Sequence, residues 1–131
     1  MIHTICYTSK ANPSLTKGDI EQIFNKTYTN NSLKGVTGIL LHGLDNFFQV
    51  LEGKESLILP LYNNLIKNDE RHHSIFEIIN KPKSKALFLD YSSDFTIVRT
   101  QKQLDTIKLY LKEHDVSTSD KLQRLLNPFI L

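Results

Sequence analysis

The sequence predicts an α+β protein with a ferredoxin-like βαββαβ order, extended by a fifth strand and two short C-terminal helices. Three observations predict it. Runs rich in β-branched and aromatic residues alternate with segments of helical period. Two of those runs are joined by the hairpin-type turn Gly43-Leu44-Asp45-Asn46. The 131 residues are enough for one compact domain and too few for two comfortable ones.

Each element follows from its own residues. Ile2–Ser9 reads as a strand, with Ile5 and Tyr7 on one face and Thr4 and Cys6 on the other. After the turn Asn12-Pro13-Ser14, a helix is predicted over about 16–29, with Ile20, Ile23 and Phe24 as its apolar face. Asn30, Asn31 and Gly35 end it and form a loop. Val36–His42 and Phe47–Glu52 are strands two and three, and Gly53 breaks the latter. A second helix is predicted over about 54–68, with Leu57, Leu61 and Leu65 on one face. Pro60 lies inside this window and bends the helix or delays its regular part.

Ser74–Asn80 is strand four, with a break at Pro82, and residues 87–98 hold strand five. Short helices follow over about 101–114 and 119–126. Their Leu104, Ile107, Leu111, Leu122, Leu125 and Leu126 cover the second face of the sheet or form a subunit contact. The apolar end Pro128-Phe129-Ile130-Leu131 is buried or docked.

Composition narrows the function classes. Apolar content of 40% and charged content of 23% are ordinary for a soluble globular protein. A net charge of +2 argues against nucleic acid or a membrane surface as partner. The single cysteine, Cys6, permits no intrachain disulfide and suits a reducing compartment. No run reaches transmembrane length and no signal-peptide pattern opens the chain, so a cytoplasmic location is expected. No triad or paired-carboxylate arrangement emerges, and His72-His73 lacks a third ligand at suitable spacing. Neither an enzyme nor a metal protein is expected.

Gln49 is the residue that asks for an explanation. It sits among large apolar neighbours in Asn46-Phe47-Phe48-Gln49-Val50-Leu51-Glu52-Gly53. A buried amide without partners costs about 1–3 kcal/mol, so something must take its hydrogen bonds. A carboxamide both donates and accepts, and can exchange which end faces a given partner. In the ferredoxin-like order strands one and three are central, with both helices on one face. Tyr7 and Gln49 then lie side by side beneath the interhelical cleft, where a planar ligand fits. Taken singly, these residues also have plain readings. Tyr7 is a core tyrosine with a satisfied hydroxyl, Gln49 pairs with backbone, and Asn31 caps a helix end. Arg71 and His72 form a solvated loop that complements a helix dipole.

Taken together, the residues carry a resemblance. Tyr7 with Ser9, Asn31 before Gly35-Val36-Thr37-Gly38, the strand Phe48-Gln49-Val50-Leu51-Glu52-Gly53, the segment Asp69-Glu70-Arg71-His72-His73 and an aromatic last strand resemble the BLUF family of flavin-binding blue-light sensors, over roughly residues 2–98. The resemblance implies a short stand-alone photoreceptor, with a flavin-binding unit at 1–98 and a helical extension at 99–131. It implies FAD held non-covalently between the two helices. Tyr7 is then the photochemical electron and proton donor, and Gln49 bridges it to the flavin edge. Asn31, with Asn30 beside it, holds the polar ring edge; Ile23 and either Leu65 or Ile66 pack on its faces; Asp69, Arg71 and His72 lie toward the ribityl-phosphate side.

The chain departs from the family in two places. It has no tryptophan, and Tyr91 and Ser93 stand where the family's readout tryptophan and methionine are expected. The segment between Glu52 and Asp69 is one residue longer than the family pattern. Signalling is expected to pass to a protein partner or through self-association as a homo-oligomer. The alternatives are a ferredoxin-like interaction module that has lost light sensing and, more remotely, a small hydrolase of the acylphosphatase kind.

Overall fold

Alternating side chains on two central strands, β1 (Ile2–Ala11) and β3 (Asn46–Lys54), divide the protein into a front and a back layer. The computed structural model describes residues 2–114 and 116–131. With β2 (Thr37–Gly43), β4 (His72–Lys83) and β5 (Thr96–Val98), the strands form a sheet ordered β4-β1-β3-β2-β5. The first four pair antiparallel, and β5 joins β2 in parallel. This is the expected ferredoxin-like sheet with an added strand.

In front lie α1 (Lys17–Leu33) and α2 (Glu55–Pro60), the latter continued by a π-helical segment, Leu61–Ile66. Behind lie α3 (Gln101–Lys112) and α4 (Val116–Leu126). The front core contains Ile5, Tyr7, Phe24, Leu40, Ile58 and Tyr62, and the back core Cys6, Phe48, Val50, Leu104, Ile107 and Leu111. Phe129 joins the back core, edge-on to Phe48, whereas Ile130 is exposed.

Two glycines are required by the backbone. At Gly35 the chain turns left-handed (φ 72°) and closes α1, with Lys34 N–H donating to Asn30 O and Val36 N–H to Asn31 O. A Cβ on Gly38 would stand 1.9 Å from the Val50 carbonyl oxygen, so only glycine lets β2 approach β3 there. The hairpin between those strands has both central residues, Leu44 and Asp45, at positive φ, as a type I′ turn demands.

Gly53 lies within β3, paired with His3, and does not end it. Five further sequence expectations are corrected. The first helix runs on to Leu33, so Asn30 and Asn31 are helical and not loop; the stop comes from Gly35. The second helix is interrupted after Pro60, which has no N–H to give, and Lys67 N–H reaches back five residues to Tyr62 O in the wider π turn. Ile58 and Tyr62 point inward, while Leu57 and Leu65, expected on the apolar face, are exposed. Pro82 does not end β4, because β4 is an edge strand and a missing donor there breaks no ladder.

The fifth correction is β5, which is confined to Thr96–Val98. The N–H groups of Leu87 and Phe88 donate to the buried carboxylate of Glu52, at 2.9 and 2.8 Å, instead of to a neighbouring strand. Residues 88–92 then turn, with Tyr91 N–H and Ser92 N–H both donating to Phe88 O.

Candidate functional site

Register sets the centre of the site. Tyr7 of β1 lies opposite Gln49 of β3, and both side chains project into the front layer at 4% exposure. The Tyr7 hydroxyl donates to Oε1 of Gln49 at 2.5 Å. Burial pushes the Tyr7 phenol far above its ordinary value, with Tyr62 and Asp69 acting in the same direction, so it remains a donor at physiological pH. Tyr62 lies behind it with ring centroids 5.7 Å apart.

A cavity of about 210 Å³ opens above this pair, between α1, the π segment and the start of β4. Every cofactor residue expected from the sequence lines it: Tyr7, Gln49, Asn30, Asn31, Ile23, Leu65, Ile66, Asp69, Arg71 and His72. Leu65 and Ile66 both face it, so the π turn presents the two side chains between which the sequence left a choice. Sequence reasoning missed Lys26, Thr27, Lys34, Leu40, Phe47 and Leu61. The signals existed. Thr27 follows Ile23 by four residues on α1, Leu61 precedes Leu65 by four, and Phe47 shares a strand face with Gln49.

The polar groups divide by what they already bind. Both ring nitrogens of His72 are engaged, Nε2 with Ile66 O and Nδ1 with Ser9 Oγ, each at 2.7 Å. His72 therefore ties the π segment to β1. Arg71 holds Asp69 through Nε and one terminal nitrogen, and this hydrogen bonding draws the Asp69 carboxyl below its ordinary range. In contrast, the amide nitrogen of Gln49 and the carboxamide of Asn31 make no hydrogen bond to any described residue, and both residues line the cavity. Unmet amides at one edge and aliphatic walls from Ile23, Leu40, Leu65 and Ile66 suit a flat heterocycle with a polar rim.

Tyr91 and Ser93 are not part of this site. Tyr91 packs on the back layer against Tyr110, centroids 5.0 Å apart, whose hydroxyl donates to Leu87 O. Ser93 is exposed in the turn before β5. Glu52 draws that segment to the back of the sheet. The cross-strand row that holds Gln49 continues instead through Leu40 of β2 to Ile97 of β5.

A family model described as BLUF, sensors of blue light using FAD, matches residues 2–94. The chain belongs to the BLUF family. BLUF domains are blue-light sensor modules that bind flavin, and the cavity's residue set fits such a ligand. The chain is 33% identical over 79 residues, 60% of its length, to the blue light- and temperature-regulated antirepressor BluF of Escherichia coli. It spans less than a fifth of the length of the first curated relatives it matches. Its fold matches the dark-state structure of the BLUF protein BlrB with a TM-score of 0.70 and 29% identity, covering 96% of this chain and 92% of that one. It also matches Klebsiella pneumoniae BlrP1 with FMN and cyclic diGMP with a TM-score of 0.72 and 27% identity, covering 97% of this chain and 34% of that one. Among the described residues no helix is long and apolar enough to cross a membrane.

Proposed function

We propose that this BLUF chain is a blue-light photoreceptor that holds FAD non-covalently, with the ring between α1 and the π segment and its polar edge toward Gln49 and Asn31. The observation that carries the reading is the Tyr7–Gln49 hydrogen bond, with the amide nitrogen of Gln49 left open to the cavity. The bound flavin supplies blue-light absorption and a one-electron acceptor. Tyr7 gives up an electron, and its Oη proton moves along the hydrogen bond to Oε1 of Gln49. As the electron and the proton return to Tyr7, Gln49 settles in a rotated or tautomeric form that donates more strongly to the ligand's carbonyl edge. That lowers the excitation energy and shifts absorption to the red. Exchanging a bond or two biases a two-state element by a few kcal/mol at most, roughly the worth of the bonds.

Readout runs along the Gln49 row, through Leu40 to Ile97 on β5, in place of Tyr91 and Ser93. Residues 1–98 form the sensor and 99–131 its extension, and the signal passes to a protein partner or to self-association in the cytoplasm without catalysis by this chain.

An illuminated-minus-dark absorption difference spectrum tests the reading. Oxidised flavin bands shift reversibly to the red, and Tyr7→Phe abolishes the shift while retaining flavin. A Tyr7→Phe protein that photocycles like its parent removes the mechanism. The back-layer position of Tyr91 favours a second reading, an interaction module without light response. Failure to take up flavin when it is supplied would support that reading instead.

A further inference from the structure

The sheet has one long open edge. β4 is its outermost strand, pairs only with β1 among the described residues, and presents a second row of backbone N–H and C=O groups away from the sheet. Seven of its twelve residues are exposed, which sets it apart from the largely buried β1, β2 and β3. Register against β1 gives each side chain a face. Phe76 lies opposite Thr8, Ile79 opposite Cys6 and Lys81 opposite Thr4, all on the back. Ile79 is buried in the back core, but Phe76 is 66% exposed.

The same stretch carries positive charge. Lys121 of α4 reaches β4 from behind, its Nζ donating to Ile78 O at 3.4 Å, so a second ammonium joins Lys81 there. Neither lysine has a carboxylate partner among the described residues. The strand's one carboxylate, Glu77, lies opposite Tyr7 on the front and accepts from Asn80 Nδ2 at 3.1 Å. An exposed ring and two uncompensated ammonium groups thus follow one another along one face of an open edge. Lysine on an edge strand ordinarily wards off further strands. A second copy of this chain would bring the same positive charge, and Ile78, the extra residue between Glu77 and Ile79, would meet the same bulge. An acidic strand meets attraction in place of repulsion, and guard lysines alone do not account for the exposed Phe76 ring.

We infer that the open edge of β4 is a docking surface for an acidic segment of a partner protein, added as a further strand, with Phe76, Lys81 and Lys121 as its recognition residues. Main-chain hydrogen bonds along the edge hold the segment, and its alternate side chains set the choice. An apolar one packs on Phe76, and acidic ones meet the two lysines. Pro82 offers no N–H and marks the end of the pairing stretch. None of the three recognition residues lines the flavin cavity, so the surface stands apart from the flavin reading.

The test is titration of the full chain into fluorescein-labelled peptides of about ten residues, followed by anisotropy. Threonine alternates with valine in one half of the peptide and with glutamate in the other, and both orders are used. One order binds in low salt, more weakly as salt rises, and slows hydrogen exchange at β4 amides. Lysine in place of the glutamates abolishes binding. Lys81→Gln/Lys121→Gln weakens it by about tenfold and Phe76→Thr by about fivefold. The control Lys17→Gln/Lys102→Gln, on the β5 side of the sheet, changes it by less than about twofold. No binding of either order at about 1 mM, equal binding of the lysine peptide, an equal loss in the control variant, or protection that falls outside β4 overturns the inference. So does tighter binding of duplex DNA or of phosphatidylglycerol vesicles than of the acidic peptide, or self-association of the chain that Phe76→Thr abolishes.

Discussion

The two faces of one sheet are built to opposite specifications. Behind it, Phe48 and Val50 of β3 meet Leu104, Ile107 and Leu111 of α3, all at or below 1% exposure. Glu52, buried on that side, has its carboxylate filled by donors from Thr4, Leu87 and Phe88. In front, Leu51 of the same strand joins the core while Phe47 and Gln49 line a cavity where the Gln49 amide nitrogen and the Asn31 carboxamide have no hydrogen-bond partner among the described residues. Neighbours in sequence thus serve opposite purposes. The back face resembles a close-packed interior in which polar atoms are satisfied internally. The front face withholds that satisfaction, which is what a ligand site requires.

The largest effect should come from the packed face. Leu111→Ala lowers unfolding stability by about 2–5 kcal/mol in urea titration, because a fully buried side chain leaves a cavity. The corresponding truncation in front, Leu65→Ala, costs less than about 1 kcal/mol, since Leu65 is 63% exposed, but weakens flavin binding. Equal losses of stability from the two would erase the contrast.

Glu52→Gln comes next, at about 1–3 kcal/mol, because an amide nitrogen replaces an acceptor facing three donors. Hydrogen exchange at Leu87 and Phe88 should quicken while flavin affinity holds.

Alkaline pH probes the front face. The Tyr7 phenol is raised above its ordinary value of 10.0 by burial, so it stays protonated where the unfolded chain ionises. Its contribution is present in full below pH 10 and is lost as pH rises beyond it, by about 1 kcal/mol per pH unit. Tyr62, also raised chiefly by burial, acts with the same sign. Phenolate absorption from these two should appear only together with unfolding; titration within the folded protein would show that the site is wetter than its geometry.

A modest change in stability is expected at Gln49, the residue that the proposed mechanism puts at the centre of the signal. Gln49→Leu strands the Tyr7 hydroxyl but gains apolar burial, for a net change within about 1–2 kcal/mol. The protein keeps its fold and its flavin and loses the light-induced red shift.

What could be read in advance follows the range of the interactions involved. Strand alternation is local, so Tyr7 and Gln49 fell on one face and Cys6 on the other without any coordinates. The cofactor residues that the BLUF resemblance implied all line one cavity. Where a distant group competes for the backbone, the local pattern misleads. The aromatic run Phe88-Leu89-Asp90-Tyr91 looks like strand, yet Glu52, 36 residues earlier, takes the Phe88 N–H and Tyr110 receives the Tyr91 ring.

Patterning was therefore enough to anticipate the ferredoxin-like sheet and the pairing of Tyr7 with Gln49, while the flavin expectation came from the resemblance to the BLUF family. The folded chain alone could reveal that Pro60 opens a π turn bringing Leu65 and Ile66 to the same cavity, that His72 acts as a tie, and that Lys26 and Lys34 stand at the rim. The physical reason is that periodicity reports which way a side chain points, whereas its partners are chosen by groups far away in the chain, through hydrogen bonds and charges that no local window contains.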